Sequence, residues 1–330
     1  VSVALAPELA LVLGFHGVVE RIEQPSIQVN QLELAEFERI VDRVRAEYDV
    51  VALDDVAEAL AGGGKLPQDA VALTFDDAYR SVLEVVDPVL QRHGLPYAVF
   101  VPSALVDSGA RMPTYTMRVA LAMTDRPSVQ LPGRRRPYKL GTRKERTVAA
   151  GAAAEALRSL PQPDVADALV SLRALLSEEQ WRELDARFAS EQLLGWDELG
   201  ALAARGVTIG SHTCDHVVLH GRQSRGEIRV QVTASKSAIE ERLQMACRHF
   251  CYPHGTPADI SRAAVLAVEE AGYSTAFMNV GGPVRDGMLA ELLPRMPVTA
   301  SDPGQALSAR RHVSEGKWYL RIRAELAPGD

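Results

Sequence analysis

The sequence predicts a barrel-like α/β fold interrupted by one helical insertion, and three observations lead there. Short apolar or β-branched runs recur at residues 10–15, 49–53, 70–75, 96–101, 208–211, 249–252 and 274–278. Between most of them lie stretches with apolar residues at helical spacing, so the alternation reads as parallel strands joined by crossover helices. Between residues 108 and 192 the rhythm stops, and a proline-rich basic segment leads into Ala-, Leu- and Glu-rich helical sequence over 147–188. The 330 residues are therefore read as one domain, 1–330, with 108–192 as a helical insertion within it.

Taken in order, residues 10–15 form a buried strand. Residues 32–47 place Leu34, Phe37, Ile40, Val41 and Val44 on one face of an amphipathic helix. Glycines at 62–64 and 94 punctuate the strands at 70–75 and 96–101. After the insertion, helices are expected over 196–205, 227–243 and 260–271, each next to one of the later strands.

Composition narrows the function classes. With 47% apolar residues the chain can bury a core without disulfides, and its net charge of −7 argues against general nucleic-acid binding, which depends on basic side chains neutralising phosphates. Cys214, Cys247 and Cys251 do not form a disulfide framework, and residues 1–14 lack the basic start of a signal peptide, so a reducing, cytoplasmic setting is expected. No apolar run reaches the roughly 18 residues of a transmembrane helix. Arg134, Arg135, Arg136, Lys139, Arg143, Lys144 and Arg146 concentrate positive charge in the insertion. They could meet a phosphate-bearing substrate or an anionic membrane surface, or form a solvated loop.

Two groups carry chemistry. Asp76 and Asp77 emerge where the run 71–75 stops, the edge at which α/β folds build their sites. One carboxylate could bind a metal while its neighbour acts as a base, although such a pair can equally cap a helix. His212 and His216, just after the strand 207–210, are four residues apart, one helical turn, so both imidazoles could meet one cation from the same side. Together the groups suggest a two-histidine, one-carboxylate site with open positions for water and substrate, a hydrolytic arrangement.

Through Thr74-Phe-Asp-Asp77, Ser211-His-Thr-Cys-Asp-His216 and Phe250-Cys-Tyr-Pro-His-Gly255, the chain resembles the carbohydrate esterase family 4 polysaccharide deacetylases. The resemblance covers residues 11–101 and 194–298. It implies a distorted (β/α) barrel, Asp76 as catalytic base, and Asp77, His212 and His216 as metal ligands. Leu13-Gly-Phe-His-Gly-Val18 is similar to the leading segment of circularly permuted members acting on poly-N-acetylglucosamine, which makes His16 the general acid, with His312 in reserve. Trp196 resembles an aromatic wall of the site in those members, and Arg295 an arginine segment. The family often has Arg where Cys251 stands, an aromatic at His254 and Gly at Ala78, so Arg295 would supply the missing charge that steadies the base. A backbone N–H from the stretch Tyr252 to His254 would hold the oxyanion.

The resemblance implies hydrolysis of an N-acetyl group from an acetamido sugar, using one divalent ion, with zinc first and cobalt, manganese or nickel as alternatives. The scarcity of aromatic residues and the basic insertion favour a small or carrier-linked sugar over a long polymer. An allantoinase-like amide hydrolase, an O-acetyl esterase and a catalytically silent glycan-binding homologue are the competing readings.

Overall fold

A computed structural model describes residues 7–132, 135–299 and 324–326. Seven parallel strands close into a barrel: β1 (Glu8–Phe15), β2 (Ala70–Phe75), β3 (Ala98–Val101), β4 (Thr208–Ser211), β5 (His249–Cys251), β6 (Thr275–Asn279) and β7 (Leu293–Pro297). They pair in chain order, and β1 completes the circle by pairing with β7 on one side and β2 on the other, in register from Leu11–Val71 to Phe15–Phe75. The fold is thus the predicted (β/α) barrel.

Period-two alternation divides the strand residues between two cores. Leu11, Leu13, Val71, Leu73, Phe75 and Val99 face outward and pack on helices, among them Leu34–Glu47, Trp196–Ala204 and Arg225–Leu243. Ala10, Val12, Ala72, Ala98, Phe100, Cys251, Phe277 and Leu293 form the second cluster, in the barrel interior, together with Leu53 and Val56 of the helix Leu53–Leu60. Small residues line this interior because Phe100 and Phe277 fill it. A methyl group on Gly210 would lie 2.6 Å from the Phe100 ring.

Three local features differ from what the sequence alone suggests. The strand expected over 49–53 spans only Asp49–Val50, since Leu53 opens a helix whose third residue, Asp55, accepts a hydrogen bond from the Ala52 N–H at 3.0 Å. β7 forms although Pro294 and Pro297, which lack the N–H groups a strand ordinarily uses, argue against a strand there. The insertion is mainly helical, with helices Pro113–Met123, Arg143–Ser159, Gln162–Arg173 and Glu178–Arg187, but it also holds a two-stranded ribbon of Ser128–Val129 and Tyr138–Lys139.

The insertion has a core of its own, built on Met112, Tyr115, Leu172, Trp181 and Phe188, and Tyr79, two residues after Asp77, belongs to it. Of its basic residues, Arg146 is committed to the carbonyls of Leu121 and Thr124, whereas Arg135, Arg136, Lys139, Arg143 and Lys144 are exposed. Arg134 and His312 lie outside the described residues. Among the described residues, no helix is long and apolar enough to cross a membrane.

Candidate active site

The two carboxylates diverge because the backbone changes hand between them. The Asp76 N–H donates to the Phe15 carbonyl at 2.9 Å, which extends the β1–β2 ladder by one residue and keeps Asp76 in phase with the inward-facing Ala72 and Thr74. Asp77 and Ala78 then adopt left-handed conformations, with φ of 70° and 54°. The chain turns sharply at Ala78 even without a glycine there, and its carbonyl accepts from the Leu194 N–H.

His212 and His216 also reach Asp77, though not by the helical turn that their spacing suggested. The segment between them is an irregular loop in which Thr213 and His216 have φ of 66° and 56°. Internal hydrogen bonds hold the loop in shape: Thr213 Oγ1 accepts from the Val217 N–H, and Gln231 Oε1 from the N–H groups of Cys214 and Asp215. The His212 Nδ1–H donates to the Cys251 carbonyl at 2.7 Å, leaving an Nε2 lone pair 3.7 Å from Asp77 Oδ1. His216 Nε2 is 3.3 Å from the same oxygen. Burial pushes His212 down to about 4 and His216 down to about 3, so both rings are neutral, as metal ligands must be.

Asp77 is 1% exposed and its Oδ1 has no hydrogen-bond partner among the described residues. A buried, unpartnered carboxylate oxygen facing two neutral imidazole nitrogens, all within 4.8 Å of one another, fits a divalent cation in charge, donor type and spacing. Cys251 and Asp76, with His212, lie equally close together.

Asp76 is gripped from beneath. Arg295 on β7 donates to Oδ1 at 2.6 Å and to Oδ2 at 2.5 Å, and is held in place by Asn279 Oδ1 and Thr74 Oγ1. Burial pushes the Asp76 carboxyl up, but the charge of Arg295 and its hydrogen bonds outweigh it and hold the group well below the usual carboxylate range. Gly14 makes room for this pair, since a methyl there would meet Arg295 Nε at 2.6 Å. His16, where β1 ends, brings Nε2 to 4.0 Å from Asp76 Oδ2 and remains 27% exposed.

Of the other expected residues, Tyr252 is already committed. Its N–H donates to the Phe277 carbonyl at 3.1 Å as part of the barrel ladder, and its hydroxyl donates to the Glu291 carbonyl. Pro253 has no N–H, so the donor left in that stretch is the N–H of His254, whose ring centroid is 5.7 Å from that of His216. Trp196, expected as an aromatic wall, is instead packed half-buried against the outer core, its ring nitrogen bonded to Asp107.

Sequence reasoning missed Asn279 and a buried polar group contributed partly by the insertion. Glu191 is 1% exposed, and both of its oxygens, Tyr79 Oη and Gln31 Nε2 lack hydrogen-bond partners among the described residues. Burial pushes Glu191 up to about 7, only partly offset by Arg118. Between the ordinary value and 7, the folded chain binds a proton that the unfolded chain has released, so this contribution to stability is full below about pH 4.5 and is lost as pH rises through 7. Glu191→Gln should therefore leave the metal-free protein about 2–3 kcal/mol more stable than wild type at pH 8 and nearly unchanged at pH 4. Thermal unfolding at the two pH values checks this, and a difference independent of pH would remove the proton as its cause.

Comparison with known proteins bears on the family and the fold. The sequence profile of the polysaccharide deacetylase family matches residues 63–276, about two thirds of the chain. A segment of 55 residues is 46% identical to the poly-beta-1,6-N-acetyl-D-glucosamine N-deacetylase of Escherichia coli K12, and covers 17% of this chain and 8% of that enzyme. Among solved structures, the deacetylase PplD of Streptococcus pyogenes, in complex with acetate, superposes with a TM-score of 0.62 at 13% identity, covering 94% of this chain and 100% of the other. IcaB of Ammonifex degensii gives 0.60 at 18% identity, covering 93% and 99%. At these identities the structures establish the likeness of fold.

Proposed function

The chain belongs to the polysaccharide deacetylase family, and from that premise we propose that it is a hydrolase of N-acetyl amide bonds that deacetylates an amino sugar with one divalent metal ion held by Asp77, His212 and His216. The observation that carries the proposal is the unpartnered, buried Asp77 oxygen facing two neutral histidines, with an ionised Asp76 beside it. Bound there, a divalent ion supplies Lewis acidity toward the acetamide carbonyl and the attacking water. Zinc suits two imidazoles and a carboxylate, and cobalt, manganese and nickel accept the same donors.

Asp76 takes the proton of the attacking water. Arg295 occupies the inner side of that carboxylate and keeps it ionised and fixed in direction, so the base is ready before substrate arrives. The His254 N–H is the donor for the developing oxyanion. His16, exposed enough to meet substrate and close to Asp76, gives a proton to the departing amine as the C–N bond breaks, releasing acetate and a free amine. The Escherichia coli relative, named for poly-N-acetylglucosamine, makes N-acetylglucosamine the first sugar to try.

Acetate release from free, oligomeric and carrier-linked acetamido sugars tests the proposal. The chelated protein is expected to lose nearly all activity and to regain it when zinc is added. Release that survives chelation would sink the metal assignment, and no release from any acetamido sugar by the metal-loaded protein would sink the sugar.

A further inference from the structure

A cleft of about 280 Å³ lies between the insertion helix Gln162–Arg173 and the loop that carries His216, and its lining includes His216 and His254. It is thus continuous with the proposed active site. Part of its wall is an aliphatic strip, with Leu157, Val165, Leu169 and Val170 from the insertion and Val217 and Val218 on the barrel loop, and Ser108, Arg173, Asp215 and Gln223 also line it. Val170 is 64% exposed, a large apolar side chain left in water. Two polar atoms in the same lining, Thr114 Oγ1 and Gln162 Oε1, are buried and have no hydrogen-bond partner among the described residues. Arg111, which also lines the cleft, is already paired with Asp185.

We infer that this cleft seats an acetamido sugar joined to an aliphatic chain, with the sugar hydroxyls meeting Thr114 and Gln162 and the chain lying along Leu157, Val165, Leu169 and Val170. The inference rests on the deacetylase reading for the acetyl end of the substrate and adds the nature of what the sugar is attached to. Further sugar rings lying along Leu157, Val165, Leu169 and Val170 would press hydroxyls against side chains that offer them no partners, a desolvation cost without return, whereas a hydrocarbon along that strip removes apolar surface from water on both sides. The volume is at the small end for ligand pockets, about 300 Å³ and upward, which suits one ring and the start of a chain better than a run of rings. The described lining contains no Phe, Tyr or Trp to stack on successive sugar faces.

The test compares octyl and methyl N-acetyl-β-D-glucosaminide with the N-acetylglucosamine trimer on the metal-loaded protein. The octyl glycoside is expected to have a KM at least about tenfold below that of the methyl glycoside and of the trimer. Val170→Asp, at an exposed position, should abolish that preference, bringing KM for the octyl glycoside up to that for the methyl glycoside. Thr114→Val and Gln162→Ala should each raise KM for both glycosides about tenfold. Equal KM values for octyl and methyl glycosides, or a preference for the trimer, would overturn the inference while leaving the deacetylase intact. If no substrate releases acetate, the deacetylase reading fails, and calorimetric binding of the octyl glycoside to wild type and Val170→Asp decides the cleft separately. Weaker binding by the variant supports it, and equal binding overturns it.

Discussion

Asp76→Asn is expected to lower kcat for acetate release by about a thousandfold or more and, independently, to destabilise the fold by about 3 kcal/mol. The first effect follows from removing the group placed to accept the proton of water. The second follows from Arg295, which is 1% exposed and would keep its charge with only a neutral amide where a carboxylate had answered it through two hydrogen bonds. Steady-state kinetics and urea unfolding read the two effects separately. Replacing Arg295 as well, with Met, should recover part of the lost stability but none of the rate, because it removes the stranded charge without restoring a base. Metal affinity supplies a further control. With Asp77, His212 and His216 as ligands, calorimetric zinc binding should change only a few-fold in Asp76→Asn. A collapse in affinity would instead point to the neighbouring group of Asp76, His212 and Cys251 as the ligand set.

Much of this centre could be read from the sequence because it depends on strand periodicity. An apolar run ending at Phe75 puts Asp76 at a strand end, and alternation carries it inward with Ala72 and Thr74. His16 ends β1 in the same way, one residue beyond the pairing of Phe15 with Phe75. The first six parallel strands were legible because each run was short and apolar and separated from the next by a stretch able to cross over as a helix. β7 escaped notice since its two prolines remove donors that a strand ordinarily uses, yet Met278–Pro294 and Asn279–Arg295 still align in register with β6. Arg295 was therefore legible as a charge but not as an inward-facing strand residue beneath Asp76.

Features set by backbone hand and by distant contacts were not legible. Left-handed φ at Asp77, Ala78, Thr213 and His216 is uncommon for such residues and is accompanied by a hydrogen bond from the Leu194 N–H and by bonds that Gln231 Oε1 accepts, from positions more than a hundred and about fifteen residues away respectively. The i,i+4 spacing of the histidines gave the right partners by the wrong route, since the loop bends where a helix would have run. Tyr252 looked like an oxyanion donor until the β5–β6 ladder claimed its N–H. Glu191 belongs to a segment with its own core, and the packing of Tyr79 into that core, with the backbone bonds of Arg80 to Gln192 and of Leu194 to Ala78, brings it near Asp77.

Asp77→Asn separates metal binding from folding more cleanly than removal of either histidine. Asn is among the few residues that tolerate left-handed φ, so the 70° at this position should persist, whereas Ala would add backbone strain. The amide still offers an oxygen of the same reach, but without the negative charge that a divalent cation requires in a buried site. Zinc affinity measured by competition with a chromogenic chelator is expected to fall at least about a hundredfold, the upper end of what loss of a ligand's hydrogen-bonding partner costs, because here the ligand itself is altered. Acetate release at limiting zinc should fall in parallel and recover partly at excess zinc. Without metal the same variant should be no less stable than wild type, because wild-type Asp77 holds a buried, partnerless oxygen whose charge then serves nothing. A variant that bound zinc normally would remove Asp77 from the ligand set. One that lost stability to the same extent with and without metal would make Asp77 a structural residue.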